Sequence, residues 1–174
     1  MDQYRVFGNP IAQSKSPFIH QKFAAQSKLI INYQSELVTL GQFEVAVNNL
    51  IANNGKGANV TAPFKEQAFA MCDELSEKAK LAGAVNTLIF TKDIIYGDTT
   101  DGIGLVSDLL RHQVTLKNSN ILLLGAGGAA KGVVQALFEQ SPKSLTIANR
   151  TLSKAQAIAE QYPNNTIKAI TFAD

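Results

Sequence analysis

Along the chain, short apolar runs alternate with stretches in which apolar residues recur at helical spacing, and this alternation sets the first reading. Tyr4 to Gly8 is an apolar run closed by the Asn9-Pro10 turn signal, which predicts a first strand. Ser16-Pro17 opens a helix: Ser16 suits its cap, Pro17 the first helical position, and Phe18, Ile19, Phe23 and Ala24 share one face. A strand over Tyr33 to Val38 and a helix over Gln42 to Ala52 follow. After a break at Gly55-Lys56-Gly57, Ala58 to Val60 reads as a very short strand ending at Thr61, and Pro63 begins a helix whose apolar positions include Phe64, Ala68 and Met71. Val85 to Phe90 and Ile94 to Tyr96, parted by Thr91-Lys92-Asp93, predict a hairpin added to the same sheet. Asp101 is placed to cap a helix over Gly102 to His112.

The grammar then restarts. Asn120 to Leu124 is a buried-strand run, Gly125 to Gly128 a glycine loop, and Ala129 to Gln140 a helix. Ser144 to Ala148, Thr151 to Tyr162 and Thr166 to Ile170 continue as strand, helix and strand. The expected fold class is α/β: an N-terminal domain with a mainly parallel sheet over residues 1–100, then an incomplete Rossmann-like domain over 101–174. A dinucleotide fold needs two mononucleotide-binding halves, and the chain holds about one, so the second half is expected to be absent.

Composition narrows the function classes. With 45% apolar and 17% charged residues and a formal net charge of +2, the chain has an ordinary core and no general field for nucleic acid or an anionic membrane. Any anion it binds must be bound locally. One cysteine, Cys72, excludes an internal disulfide framework, and His20 and His112 stand apart, so no metal site is expected. The N-terminus has no signal-peptide pattern, and no apolar run approaches the roughly 18 residues of a membrane span. These features predict a cytoplasmic protein with no membrane partner. The sequence carries no signal for oligomeric state.

Gly125-Ala126-Gly127-Gly128-Ala129-Ala130 satisfies G-x-G-x-x-G/A between a strand and a helix. Gly125 allows the tight turn, Gly127 lets backbone approach a pyrophosphate, and Ala130 lets helix pack on strand. The helix N-terminus supplies N–H groups and partial positive charge for the phosphates. A nucleotide triphosphatase loop fits less well, because Lys131 is followed by Gly132. The next strand ends in Asn149-Arg150-Thr151 without the acid that would hold an NAD ribose. Arg150 instead offers a charged fork to a 2′-phosphate, so NADP is the expected cofactor.

In the first half, polar residues gather where parallel strands end: Ser14 and Ser16 after the first, Asn59 and Thr61 at the third, Lys65 just beyond, and Asn86 in the next. Hydroxyls and amides suit a small polyhydroxy acid. Together with Val6-Phe7-Gly8-Asn9-Pro10-Ile11, Ser14-Lys15-Ser16-Pro17, Gly57 to Lys65, Gly83-Ala84-Val85-Asn86-Thr87, Asp101-Gly102, the glycine loop and Asn149-Arg150-Thr151, they form a series that closely resembles shikimate dehydrogenase over nearly the whole chain.

That resemblance implies that Ser14 and Ser16 hold the substrate carboxylate, and that Thr61, Asn86 and Asp101 engage ring hydroxyls. It implies Lys65 and Asp101 as the catalytic pair, and Gly125, Ala126, Gly127, Gly128 and Ala129 with Asn149, Arg150 and Thr151 as the NADP site. The reaction implied is the reversible reduction of 3-dehydroshikimate to shikimate in aromatic amino-acid biosynthesis. A lysine ammonium suits the carbonyl side, where it stabilises developing alkoxide and donates a proton, and a neighbouring aspartate favours the ammonium. One departure is Thr99, where the family usually has Asn. A C-terminal region that in the family returns a glutamine to the site is also missing. The competing readings are a non-catalytic shikimate-binding remnant and an NAD-using quinate/shikimate dehydrogenase.

Overall fold

A computed structural model of the chain describes residues 1–163 and 167–174. Its first half runs β1 (Asp2–Gly8), α1 (Ser16–Gln26), β2 (Ile31–Leu37), α2 (Phe43–Ala52), β3 (Gly55–Val60), α3 (Lys65–Met71), β4 (Glu74–Leu75), α4 (Glu77–Ala82), β5 (Thr87–Phe90) and β6 (Ile95–Asp98). These six strands form one sheet in the order β2-β1-β3-β5-β6-β4. Pairings β1–β2, β1–β3 and β4–β6 are parallel, and only the hairpin β5–β6 and its junction β3–β5 are antiparallel, in keeping with the mainly parallel sheet expected.

Strand alternation gives β1 two buried faces. Phe7 points into the main cluster with Phe43, Val47, Val60, Phe64, Val85 and Leu88, whereas Val6 faces a smaller one with Ile11 and Tyr33. Phe43 is the hinge of the aromatic packing: it meets Phe7 edge-on at 6.0 Å and lies stacked on Phe64 at 5.1 Å.

Four local expectations change. Gly55-Lys56-Gly57 is not a break but the start of β3, because a Cβ on Gly57 would stand 2.5 Å from the Leu88 carbonyl oxygen; the glycine lets β5 approach. The shared apolar face of α1 is largely open to solvent: Ala24 is buried, but Phe18 is 62% exposed and carries the Lys22 ammonium over its ring, since the helix packs only a narrow stripe on the edge strand β2. Pro63 lies in the turn before α3, which begins at Lys65. The short β4 and α4 were not anticipated, although Ser76 caps α4 through an acceptor bond from Ala79 N–H at 3.1 Å and Gly83, at φ +57°, ends it.

The second half comprises α5 (Asp101–Arg111), β7 (Asn120–Leu124), α6 (Gly128–Phe138), β8 (Ser144–Ala148), α7 (Leu152–Glu160) and β9 (Ile167–Ile170). Its three strands are parallel in the order β7-β8-β9. Thr166, expected to open the third strand, lies outside the described residues. Leu145 and Ile147 are fully buried with Val134, Ala155 and Ile158. Val106 and Leu116 pack with Val133 and Leu137 of α6, so α5 belongs with the second core. The helices α5 and α6 come together at bare backbone: a Cβ on Gly102 would stand 2.8 Å from the Gly132 carbonyl oxygen.

Cys72 illustrates the closeness of the first core. Its thiol donates to the Ala68 carbonyl at 3.1 Å, and burial pushes its pKa up to about 11. Alkylation of Cys72 at pH 8 is therefore expected to run roughly 100-fold slower than that of a free cysteine, measured by mass spectrometry with iodoacetamide under native conditions.

Candidate active site

The first helical residues of α3 and α5 meet across the junction of the two sheets. Lys65 Nζ lies 2.5 Å from Asp101 Oδ2, and the two side chains are only 12% and 23% exposed. A charge-assisted pair held at this distance in partial burial is stronger than a surface ion pair and keeps a proton donor at a defined point.

Two residues read as helix caps stand at the first helical position instead. Ser16 is the first residue of α1, with Lys15 at the cap position and no side-chain capping bond. Asp101 is likewise the first residue of α5, with Thr100 at the cap position, and its carboxylate is drawn to Lys65. Both expected caps are corrected, and for Asp101 the reason is the stronger attraction of Lys65 outside the helix.

Asn86 binds the other side of the pair, its Nδ2 donating to Asp101 Oδ1 at 2.7 Å. Ser14 accepts from the Ser16 amide at 3.3 Å, keeping the two serines in one turn. Thr61 closes β3, its methyl packed so tightly against Gly8 that a Cβ there would be 2.5 Å away. A cleft of about 640 Å³, a size suited to a small ligand, lies against His20, Phe23, Tyr33, Asn59, Thr87 and Thr100; Ser14, Ser16, Thr61, Lys65, Asn86 and Asp101 do not line it. Tyr33 was read only as a strand residue and Thr87 only as a strand residue closing the Gly83-to-Thr87 motif, with no role given to either, and their contacts across the sheet carry no signal of their own in the sequence. His20 stacks face to face on Tyr33 at 4.2 Å, and burial lowers its pKa.

The glycine loop abuts the pair. A Cβ on Gly128 would stand 3.2 Å from Lys65 Cβ, and one on Gly132 the same distance from Asp101 Oδ2. Gly125 has φ +102°, a conformation that favours glycine, and nothing lies within 4 Å of where a Gly127 Cβ would be. The Lys131 amide makes a helical bond, to Gly127 O at 3.0 Å, so the Gly128, Ala129 and Ala130 amides occupy the turn whose N–H groups have no partner within the helix. Ala126 is buried in the second core, so it can offer a ligand backbone only. This exposed turn of amides fits a pyrophosphate.

Asn149, Arg150 and Thr151 follow β8, the strand beside the loop, where the Gly125 amide bonds Ala148 O at 2.8 Å. Asn149 braces the turn by donating to Thr151 O at 2.8 Å, and Arg150 is exposed. Thr151 sits at the cap position of α7 without a side-chain capping bond. Among the described residues there is no group of three His, Cys, Asp or Glu that could hold a metal, and no helix is long and apolar enough to cross a membrane.

Thr99 is 4% exposed, and among the described residues its hydroxyl has no hydrogen-bond partner. It faces α6 at Gly132.

Comparison with known proteins bears on the whole chain. A family described as "Shikimate dehydrogenase substrate binding domain" matches residues 6–88, and one described as "Shikimate / quinate 5-dehydrogenase" matches residues 108–174. The NADP(+)-dependent shikimate dehydrogenase of Colwellia psychrerythraea is 56% identical over 99% of this chain and 63% of its own length. Among solved structures, an Ael1 enzyme from Pseudomonas putida superposes with a TM-score of 0.88 at 39% identity, over 99% of this chain and 64% of that one. A shikimate 5-dehydrogenase from Thermus thermophilus, solved with NADP(H) and shikimate, gives 0.85 at 32% identity over 96% and 62%. The chain thus spans about 63% of the length of the curated relatives it matches.

Proposed function

This chain belongs to the shikimate dehydrogenase family, and we propose that it serves the NADP-dependent, reversible reduction of 3-dehydroshikimate to shikimate. The observation that carries the reading is the Lys65–Asp101 pair at 2.5 Å, partly buried and in contact with the glycine loop. Residues 1–100 are assigned to substrate and 101–174 to cofactor, a division supported by the packing of α5 on α6.

Ser14 and Ser16 hold the substrate carboxylate, and Thr61, Asn86 and Asp101 engage the ring hydroxyls. NADP, when bound at Gly125 to Ala129 with Asn149, Arg150 and Thr151, supplies or takes up the hydride. Lys65 Nζ meets the carbonyl oxygen: the ammonium stabilises negative charge as it develops there and donates the proton that completes the hydroxyl. In the reverse direction the neutral amine accepts that proton. Asp101 fixes the lysine headgroup by the Oδ2 contact and keeps its charge compensated. The helix α6 packs on both residues through glycine, Gly128 against Lys65 and Gly132 against Asp101, so no side chain of its own stands between them and the glycine loop. A reducing, cytoplasmic setting is part of the proposal and is supported by Cys72 standing as a free thiol.

The test is shikimate-dependent reduction of NADP by the purified chain against a Lys65→Ala control, with NAD and quinate as alternative reactants. Turnover equal to the control overturns the activity for this polypeptide. Arg150→Ala is expected to weaken NADP binding about tenfold while leaving NAD binding unchanged, as read by calorimetry, because only the former carries the 2′-phosphate.

A further inference from the structure

A line of hydrogen-bonded side chains runs from Tyr33 on β2 through Asn59, Thr87 and Asn86 to the catalytic pair. Tyr33 donates from its phenol to Asn59 Oδ1 at 2.7 Å. Asn59 Nδ2 donates to the Asn86 backbone carbonyl and to Thr87 Oγ1, both at 3.3 Å. Thr87 Oγ1 donates to Asn86 Oδ1 at 2.7 Å, and Asn86 Nδ2 donates to Asp101 Oδ1 at 2.7 Å.

The direction of every bond is set by groups with no choice. The Asn86 carbonyl can only accept, which orients the Asn59 amide and obliges its oxygen to face a donor. Tyr33 is that donor: it is almost fully buried, and burial holds its pKa well above the ordinary phenol value, so it keeps its proton. At the other end the Thr100 backbone N–H, which can only donate, meets Asn86 Oδ1 at 3.1 Å. Thr87, between the two amides, must accept from one and donate to the other. Asn86 is left with its NH₂ toward Asp101 Oδ1, and Oδ2 remains for Lys65.

We propose that Tyr33 and Thr87, acting through Asn59, are positioning residues that lock the Asn86 amide and thereby reserve Asp101 Oδ2 for Lys65. The inference rests on the reading of Lys65 and Asp101 as the catalytic pair, but its geometry is testable without turnover. Thr87→Val keeps the branched shape and removes the hydroxyl, Thr87→Ser keeps the hydroxyl, and Tyr33→Phe keeps the ring on His20 while removing the first donor.

The readouts are hydrogen exchange of the Asn86 side-chain NH₂ by ¹⁵N NMR on the full chain and the kcat and KM of the same proteins. Thr87→Val is expected to speed that exchange about tenfold, the effect of one lost net hydrogen bond, and to lower kcat by a similar factor with KM for shikimate within about twofold. Thr87→Ser restores both, and Tyr33→Phe gives the same change at smaller size. Unchanged exchange in Thr87→Val overturns the proposal, and so does an equal loss in Thr87→Ser, which would mark a packing role. If Thr87→Val does not fold, Tyr33→Phe against wild type decides by the same exchange measurement. A wild-type chain without turnover counts against the activity proposed above, while the exchange result still judges the lock.

Discussion

Lys65→Ala lowers kcat for shikimate oxidation by about a thousandfold and changes shikimate affinity little. The basis is position: Lys65 opens α3 with its ammonium on Asp101 at 2.5 Å, while the proposed carboxylate and hydroxyl contacts come from Ser14, Ser16, Thr61 and Asn86 on other segments. Truncation therefore removes the proton donor and the positive charge that faces the developing alkoxide, leaves Asp101 without its partner, and leaves most ground-state contacts in place. Steady-state kinetics with calorimetric shikimate binding checks this. A variant whose KM rises with kcat intact would show that Lys65 only binds substrate, and the chemical role would have to be reassigned.

Phe64→Ala has the largest expected effect on stability. Phe64 is fully buried, stacked on Phe43, and immediately precedes Lys65. Removing a buried phenyl ring costs about 3–5 kcal/mol through lost burial and the cavity left behind, which corresponds to a fall in Tm on the order of 10 °C. Because the ring seats the first turn of α3, the same change loosens the aim of Lys65, so kcat is expected to drop more than the folded fraction accounts for. Phe18→Ala, at a ring open to solvent, is the control and should move stability by no more than about 0.5 kcal/mol. Thermal unfolding by circular dichroism separates the two; equal effects would contradict the packing described.

Much of the architecture was legible because strand runs and turn signals at Asn9-Pro10 and Gly125 to Gly128 are local. The failures are local rules overridden from a distance. Asp101 has the chemistry of a cap, yet Lys65 claims it from another element. Gly55 and Gly57 look like a break until Leu50 is seen against the first and Leu88 against the second. The face of α1 has helical periodicity without a matching partner surface, so periodicity alone overstated its burial. The proposed catalytic pair was legible only through the joint motif series, since residues 65 and 101 meet by topology alone. Tyr33 and Thr87 were illegible because a tyrosine and a threonine in strands are what any sheet would use.

Position 128 carries a consequence for how this sequence can drift. Glycine there is held by what stands opposite, Lys65 Cβ at 3.2 Å from any added carbon, more than by its own backbone. The opposing atom is the lysine's own Cβ, so only glycine at 65 would remove it, and glycine lacks the ammonium. The compensating change that ordinarily rescues a crowded core is thus closed off, and the two sites are bound in one-way epistasis: the lysine's chemistry freezes a glycine in the neighbouring domain.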